Sequence, residues 1–318
     1  MKKILIITQG ISRIVRPLCN CSICEVVGLI ECAPREVEKQ DNIFLKWLKG
    51  IHRLVSFKAD LTLKAFAANF KIPYYYMTSS SIELENWIRE LKPDLIVVYS
   101  MSQLLRKNIY TIPRLGTINL HPSYLPEYRG PNPVFWIYYD MVREGGVTVH
   151  YIDDGEDTGK ILMQERYTIP LGIKSSDNFD IAIDRIGIRL LLEVIQNIEQ
   201  IEPIEQSMTS STMRARNLKL NEHRNIIDWN NWPIERVWHV LRGTESWLNA
   251  LPTPQGIYRG SRWVIGEFEK KQLNGKYKIG SIYKRKARRF VVCRDGIIYI
   301  ECKINLKQLF VSLIKNGK

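Results

Sequence analysis

The run DLIVVYS at residues 94–100 constrains the fold more than any other stretch of this chain. It has five consecutive apolar or aromatic residues and no polar face. A strand of that kind is buried on both sides, which happens where helices cover both faces of a parallel sheet. The first half of the chain repeats the theme. KILIIT (3–8), CEVVGLIE (24–31), IPYYYM (72–77), GTINLH (116–121) and GVTVHYID (146–153) all read as strands. Between them lie helical patterns: a basic, periodic region from about Asn42 to Phe70, then SSSIELENWIRELKP with serine capping potential, then NPVFWIYYDMVREG. The order β-α-β predicts a mainly parallel sheet.

A long helix is expected over roughly Asn178 to Glu199, followed by a polar connector, EQIEPIEQSMTSSTMRARN. Beyond it come an aromatic-anchored helix in IDWNNWPIERVWHVLRG and several short strands, with RDG as a hairpin signal between FVVC and IIYIEC. The expected fold class is therefore α/β. A Rossmann-like sheet with helices on both faces fills residues 1–203, and a smaller β-rich, OB-like domain fills 204–318. No GxGxxG follows the first strand, which disfavours dinucleotide binding.

Charge is divided unevenly. Residues 211–318 hold 22 Lys and Arg against 8 Asp and Glu, while 1–210 hold 24 against 25, so the whole excess of +13 lies in the last third. A segment such as KRKARR (284–289) could hold RNA, a membrane surface or a nucleotide diphosphate, or could simply be a solvated hairpin. No apolar run approaches the roughly 20 residues of a membrane helix. The start, MKKILIITQG, reads as a first strand rather than a signal peptide, so a cytoplasmic protein is expected. Cys21 and Cys24 have C-x-x-C spacing, but a zinc site needs a second ligand pair, and reduced thiols around a buried strand are the expectation.

In such sheets, ligands bind beyond the carboxyl ends of the strands. Three loops leave strands there: 100–105, the stretch after His121, and YIDDGEDTGK from Tyr151. Asn119 and His121 share one face of a strand. An amide donor beside a histidine suits a developing oxyanion, and a carboxylate from the acidic loop would orient the imidazole and raise its pKa. The acidic loop could instead bind a divalent cation, although it lacks EF-hand spacing. No activated serine or cysteine is apparent, so the attacking group would belong to the substrate, for example an amine.

The segment PRLGTINLHPSYLPEYRGPNPVFW…GGVTVHYIDDGEDTGKIL resembles the 10-formyltetrahydrofolate-dependent formyltransferases, most specifically from about Leu91 to Gln164. The later IDW…IERVWHVLRG segment looks like the start of the carboxyl-terminal domain of methionyl-tRNA formyltransferases. The resemblance implies that Asn119, His121 and Asp157 are catalytic. It implies 10-formyltetrahydrofolate as cosubstrate, without a metal, its pterin held mainly by backbone groups at Met101, Gln103, Leu105, Asp153 and Gly155. Arg129 matches the family's loop arginine on the acceptor side. Tyr124, Glu127, Pro131 and Asn132 depart from the loop usual in the tRNA enzymes, so Tyr124, Arg129 and Asn132 are expected to meet a different acceptor. The chain looks more like enzymes that formylate the amine of an amino-sugar nucleotide for surface polysaccharides. The basic last third favours tRNA instead, and a non-catalytic folate- or RNA-binding module is a third reading. A homodimer is compatible with all three.

Overall fold

The computed structural model describes residues 1–34, 62–272, 275–286 and 288–302. The expected amphipathic stretch at Lys46 to Phe57, and most of the basic periodic region around it, lie outside the described residues. The chain divides into two compact units. The first comprises Met1–Pro131, Gly146–Arg166 and Asp180–Arg214; the second comprises Asn132–Gly145, Tyr167–Phe179 and Ala215–Lys318.

The strands β1 (Lys2–Thr8), β2 (Cys24–Cys32), β3 (Tyr74–Met77), β4 (Leu95–Tyr99), β5 (Thr117–His121), β6 (Glu144–Tyr151) and β7 (Ile161–Thr168) form one sheet, ordered β3-β2-β1-β4-β5-β6-β7. The first five run parallel, while β6 turns back antiparallel to β5. The switch in strand order between β1 and β4 is where an α/β sheet opens a crevice. All five residues of β4 are buried, as the Val/Ile run predicts.

Helices of the first unit are α1 (Val15–Asn20), α2 (Leu63–Asn69), α3 (Ile82–Leu91) and α4 (Lys107–Tyr110). Ser81 caps α3: its hydroxyl accepts from the Leu84 N–H, and Glu83 and Glu85 complement the positive end of the helix dipole. The buried face of α3, Leu84 and Ile88, packs with Ile109 and Tyr110 of α4 against Leu5, Ile7, Ile96 and Val98 of the sheet.

Three local expectations are corrected. The helix from Pro133 stops at Tyr139 (α5), and β6 already begins at Glu144. The long helix is interrupted: α6 (Ser175–Phe179) passes through a wider π-helical stretch, Asp180–Gly187, into α7 (Ile188–Asn197). Strand β7 was not foreseen, because ILMQERYT buries only its first two side chains and carries Gln, Glu and Arg in its middle. The connector after Ile201 contains no helix, and a single bridge ties Ile204 to Ile161.

In the second unit, α8 (Ile234–Thr244) and α5 share aromatic packing with flanking loops. The Tyr139 and Trp232 rings lie 5.0 Å apart, and Phe135 and Trp247 5.5 Å apart. The strands β8 (Trp263–Lys270), β9 (Ile282–Arg285), β10 (Arg288–Cys293) and β11 (Gly296–Cys302) make an antiparallel sheet in the order β8-β11-β10-β9, with the expected hairpin at Arg294-Asp295. Among the described residues, no helix is long and apolar enough to cross a membrane. Cys21 and Cys24 hold their sulfurs 3.0 Å apart as free thiols, and among the described residues no group of three or more His, Cys, Asp or Glu is arranged to hold a metal ion.

Candidate active site

In the first unit, strand β5 and the loop that follows it meet Asp157 of the acidic loop. Strand β5 delivers Asn119 and His121 on one face, because alternate residues of a strand point the same way. Their neighbour Leu120 points to the other side, where it lies against Gly187. Asp157 arrives from the acidic loop between β6 and β7. Its Oδ1 is 3.3 Å from Asn119 Nδ2, and its Oδ2 is 3.6 Å from His121 Nδ1. The backbone N–H of Gly130, from the loop after β5, donates to Oδ2 at 2.9 Å.

The acidic loop is folded by its own short-range chemistry. The Asp153 carboxylate accepts from the Gly155 N–H at 3.0 Å and from the Thr158 hydroxyl at 2.6 Å. Glycine is required twice. A Cβ on Gly155 would stand 2.0 Å from Thr158 Oγ1, and one on Gly159 would stand 1.9 Å from the Tyr151 carbonyl oxygen. Asp157 itself sits in the left-handed region, at φ 55°. That is an uncommon place for a non-glycine residue and one that functional positions use. Tyr110 of α4 braces the loop by donating its hydroxyl to Asp154 at 2.6 Å.

Hydrogen-bond partners fix the imidazoles. His121 Nε2 lies 3.1 Å from the Tyr128 carbonyl, which can only accept, so Nε2 carries a proton and Nδ1 faces the carboxylate. A second histidine, His150 on β6, joins the cluster. Its Nδ1 lies 2.8 Å from the Tyr151 carbonyl and is therefore protonated, which leaves Nε2 to accept from Asn119 Nδ2 at 3.1 Å. His150 Nε2 is also 3.6 Å from Asp157 Oδ1.

The electrostatics differ from the expectation in one respect. A carboxylate neighbour alone would raise the pKa of His121. In the structure His121 is 5 % exposed, and burial pushes its pKa below the ordinary value, with Asp157 opposing and His150 adding to the shift. Burial pushes the Asp157 carboxyl upward, but His121, His150 and the Gly130 N–H outweigh it and hold it well below the usual carboxylate range. At neutral pH the pair is thus an ionised Asp157 beside a neutral His121. It can accept one proton, which settles on the imidazole.

Of the other sequence-derived positions, Met101 and Leu105 pack with Ile152 in one apolar cluster, which places the 101–105 loop alongside the acidic loop. Gln103 is half-buried on the same loop, and Asp153 and Gly155 belong to the acidic loop. Tyr124 lies beneath the Arg166 guanidinium, 3.8 Å from its ring centroid, and Arg166 pairs with Glu127 at 3.4 Å. Arg129 turns inward: Nε donates to the Asp157 carbonyl at 3.2 Å, and Nη2 to Gln206 Oε1 at 2.7 Å and the Ser207 carbonyl at 2.8 Å. Asn132 opens α5 in the second unit, where its N–H donates to the Ala215 carbonyl.

Sequence reasoning missed His150 and Gln206. The alternation of GVTVHYID carried a signal for the first, a histidine on the polar face of a strand neighbouring Asn119. The second sits in a polar connector with nothing to mark it.

A formyl transferase family profile matches residues 55–195. The methionyl-tRNA formyltransferase of Caldicellulosiruptor saccharolyticus is 31% identical over 192 residues, covering 59% of this chain and 57% of its own length. That of Clostridium beijerinckii is 30% identical over 231 residues, covering 73% of this chain and 70% of its own. The alignment thus spans little more than half of the first relative. Among solved structures, WlaRD, a sugar 3N-formyl transferase crystallised in the presence of dTDP and 5-N-formyl-THF, superposes with a TM-score of 0.60 at 17% identity, over 96% of this chain and 99% of that one, a likeness of fold. The chain belongs to the formyl transferase family.

Proposed function

We propose that this chain moves a formyl group from 10-formyltetrahydrofolate to the primary amine of a nucleotide-linked amino sugar. The observation that carries formyl transfer is the convergence of Asn119, His121 and Asp157 at the carboxyl edge of the sheet. The folate supplies an activated formyl carbon. Its flat, half-apolar pterin fits the adjoining 101–105 and 153–157 loops, where Met101, Leu105 and Ile152 give an apolar wall and the irregular backbone at Gln103, Asp153 and Gly155 gives polar groups.

As the amine attacks, negative charge grows on the formyl oxygen, and the Asn119 amide donates to it. The long 3.3 Å contact of Asn119 Nδ2 with Asp157 is the bond it gives up to do so. The amine must lose a proton. The Asp157–His121 pair accepts it, forming an imidazolium that faces an ionised carboxylate. As the tetrahedral intermediate collapses, the bond from the formyl carbon to N10 of the folate breaks, N10 takes up a proton, and tetrahydrofolate leaves.

Two features support a sugar nucleotide as acceptor. The Tyr124-Leu125-Pro126-Glu127 loop departs from the tRNA-type sequence, and it presents the Tyr124 ring under Arg166, a platform for a base or sugar face. In this reading residues 1–203 hold the catalytic machinery and 204–318 form the accessory domain.

A second reading, formylation of methionyl-tRNA, is favoured by the names of the relatives and by the β9–β10 hairpin. There Arg285 stands opposite Arg288 and Lys284 opposite Arg289.

The deciding experiment incubates the protein with 10-formyltetrahydrofolate and either a panel of dTDP-, UDP- and GDP-linked amino sugars or methionyl initiator tRNA, and follows release of tetrahydrofolate. Turnover with one sugar nucleotide supports the reading. Rapid formylation of the tRNA with none of the sugars replaces it with the second.

A further inference from the structure

We propose that Gln206, in the connector that follows the catalytic fold, is the residue that positions Asp157 for formyl transfer; this rests on the role given to Asp157 above. Between Ile204 and Arg214 the chain is almost wholly exposed, and only Gln206, Ser210 and Thr212 are half-buried. Gln206 is turned toward the acidic loop, and all the hydrogen-bonding capacity of its amide is used. Nε2 donates to the Asp157 carbonyl at 3.1 Å and to the Gly159 carbonyl at 2.6 Å. Oε1 accepts from Arg129 at both Nε, 3.2 Å, and Nη2, 2.7 Å. Because a guanidinium can only donate, Arg129 fixes which end of the amide faces the loop.

The contacts lie on both sides of the residue that needs holding. Asp157 occupies a left-handed conformation, and its carbonyl receives Gln206 and Arg129 together. Two residues on, Gly159 closes the loop against Tyr151. The connector is pinned around Gln206 as well. Arg214 makes a two-pronged pair with Glu156, and the Thr212 hydroxyl accepts the Tyr128 N–H at 2.7 Å, on the residue whose carbonyl holds His121. The connector is therefore a clasp across the acidic loop, with Gln206 as its contact to the Asp157 backbone. A misplacement of about 1 Å at a reacting group costs on the order of 10²-fold in rate.

The test compares Gln206→Ala, Gln206→Glu and Asp157→Asn, with Glu205→Ala as control; Glu205 makes an exposed ion pair with Lys160 from the same connector. Gln206→Glu keeps an acceptor for Arg129 but sets a carboxylate against two carbonyls. One readout is formyl transfer from 10-formyltetrahydrofolate to the acceptor found by the panel above. The other is the imidazole NMR spectrum of the chain's five histidines, which needs no acceptor. Both Gln206 variants should lower kcat by about 10–100-fold with KM nearly unchanged, and should move the His121 and His150 resonances as Asp157→Asn does. Glu205→Ala should change neither. Resonances and kcat that move in Asp157→Asn but stay at wild-type values in both Gln206 variants would overturn the positioning role. An Asp157→Asn protein with normal turnover would overturn the reading beneath it.

Discussion

Asn119 and His150 face each other across the antiparallel pair β5–β6, and the amide nitrogen of one lies 3.1 Å from the imidazole Nε2 of the other. The register makes this contact, and the tautomer gives it direction. With Nδ1–H committed to the Tyr151 carbonyl, His150 can only accept from Asn119. The histidine thereby fixes which end of the Asn119 amide is the donor. His150→Phe should leave the amide held only by its 3.3 Å contact with Asp157 and lower kcat by about 10–100-fold. His150→Gln, whose carbonyl can still accept, should recover part of the loss. Equal rates for wild type and His150→Phe would remove this role.

The charge state of His121 gives a pH prediction. Turnover needs a neutral imidazole to take up the amine proton. Burial places the His121 pKa below the ordinary value of 6.5. With the acceptor amine saturating, kcat should therefore hold constant from neutral pH down past 6.5 and fall only in more acid solution, whereas kcat/KM also carries the titration of the substrate amine. Asp157 opposes the effect of burial, so removing its charge pushes the His121 pKa down further. The residual activity of Asp157→Asn, expected to be orders of magnitude lower than wild type, should show an acid limb at still lower pH. A wild-type limb centred above 6.5 would contradict this assignment.

What the sequence disclosed follows from where its signals are local. The Val/Ile run of β4 and the Ser81 cap of α3 act within a few residues, and both were legible. The link from His121 to Asp157 was legible from the carboxylates of the next loop and not from a shared edge. Strand β6 runs antiparallel to β5, so that loop leaves β6 beside Thr117 and Ile118, and Asp157 lies back toward Asn119 and His121. Strand β7 was hidden because its polar middle, Gln164-Glu165-Arg166, breaks the apolar alternation. The π-helical stretch was hidden because one extra residue per turn barely alters the periodicity of DIAIDRIG. Gln206 carried no pattern at all. Its partners are two carbonyls and a guanidinium distant in sequence, and a connector rich in Ser, Thr and Gln offers several equivalent amides and hydroxyls until the fold selects one.

The second unit contains a different acid-sensitive histidine. His239 on α8 is fully buried, and its Nδ1 accepts from the Gly172 N–H at 2.9 Å. Burial, with a smaller contribution from Arg143, lowers its pKa to about 4. The unfolded chain binds this proton near 6.5, so stability is full above about pH 6.5 and is lost progressively as pH falls toward 4. The whole effect is about 3 kcal/mol. Urea unfolding at pH 7 and pH 4.5 measures it. In His239→Gln, which can accept the Gly172 bond but does not titrate, the acid loss should shrink by most of that amount. An undiminished loss would assign the sensitivity to another group.

The loop glycines allow a test that separates folding of the acidic loop from its chemistry. An alanine methyl at residue 159 would lie 1.9 Å from the Tyr151 carbonyl, which is backbone and cannot swing aside. Gly159→Ala should cost more than about 2 kcal/mol of stability and abolish turnover. Asp157→Asn should lower turnover by orders of magnitude while costing less stability than Gly159→Ala. A Gly159→Ala protein as stable as wild type would contradict the close approach of residue 159 to the Tyr151 carbonyl.

The β9–β10 hairpin separates the two acceptors. Arg285 opposite Arg288, and Lys284 opposite Arg289, are like charges facing each other across an antiparallel pair, an arrangement that destabilises by a few tenths to about 1 kcal/mol. Arg288→Glu replaces one repulsion with an attraction and should raise the melting midpoint slightly. With a sugar nucleotide as acceptor, bound at the sheet edge, KM for that substrate should not change. With a tRNA as acceptor, the same substitution should raise KM and flatten its dependence on salt, because each lost phosphate contact removes about one unit from the slope of log affinity against log salt. A stabilised Arg288→Glu protein with unchanged sugar kinetics supports the small-amine reading. A salt slope that falls with the substitution supports the tRNA.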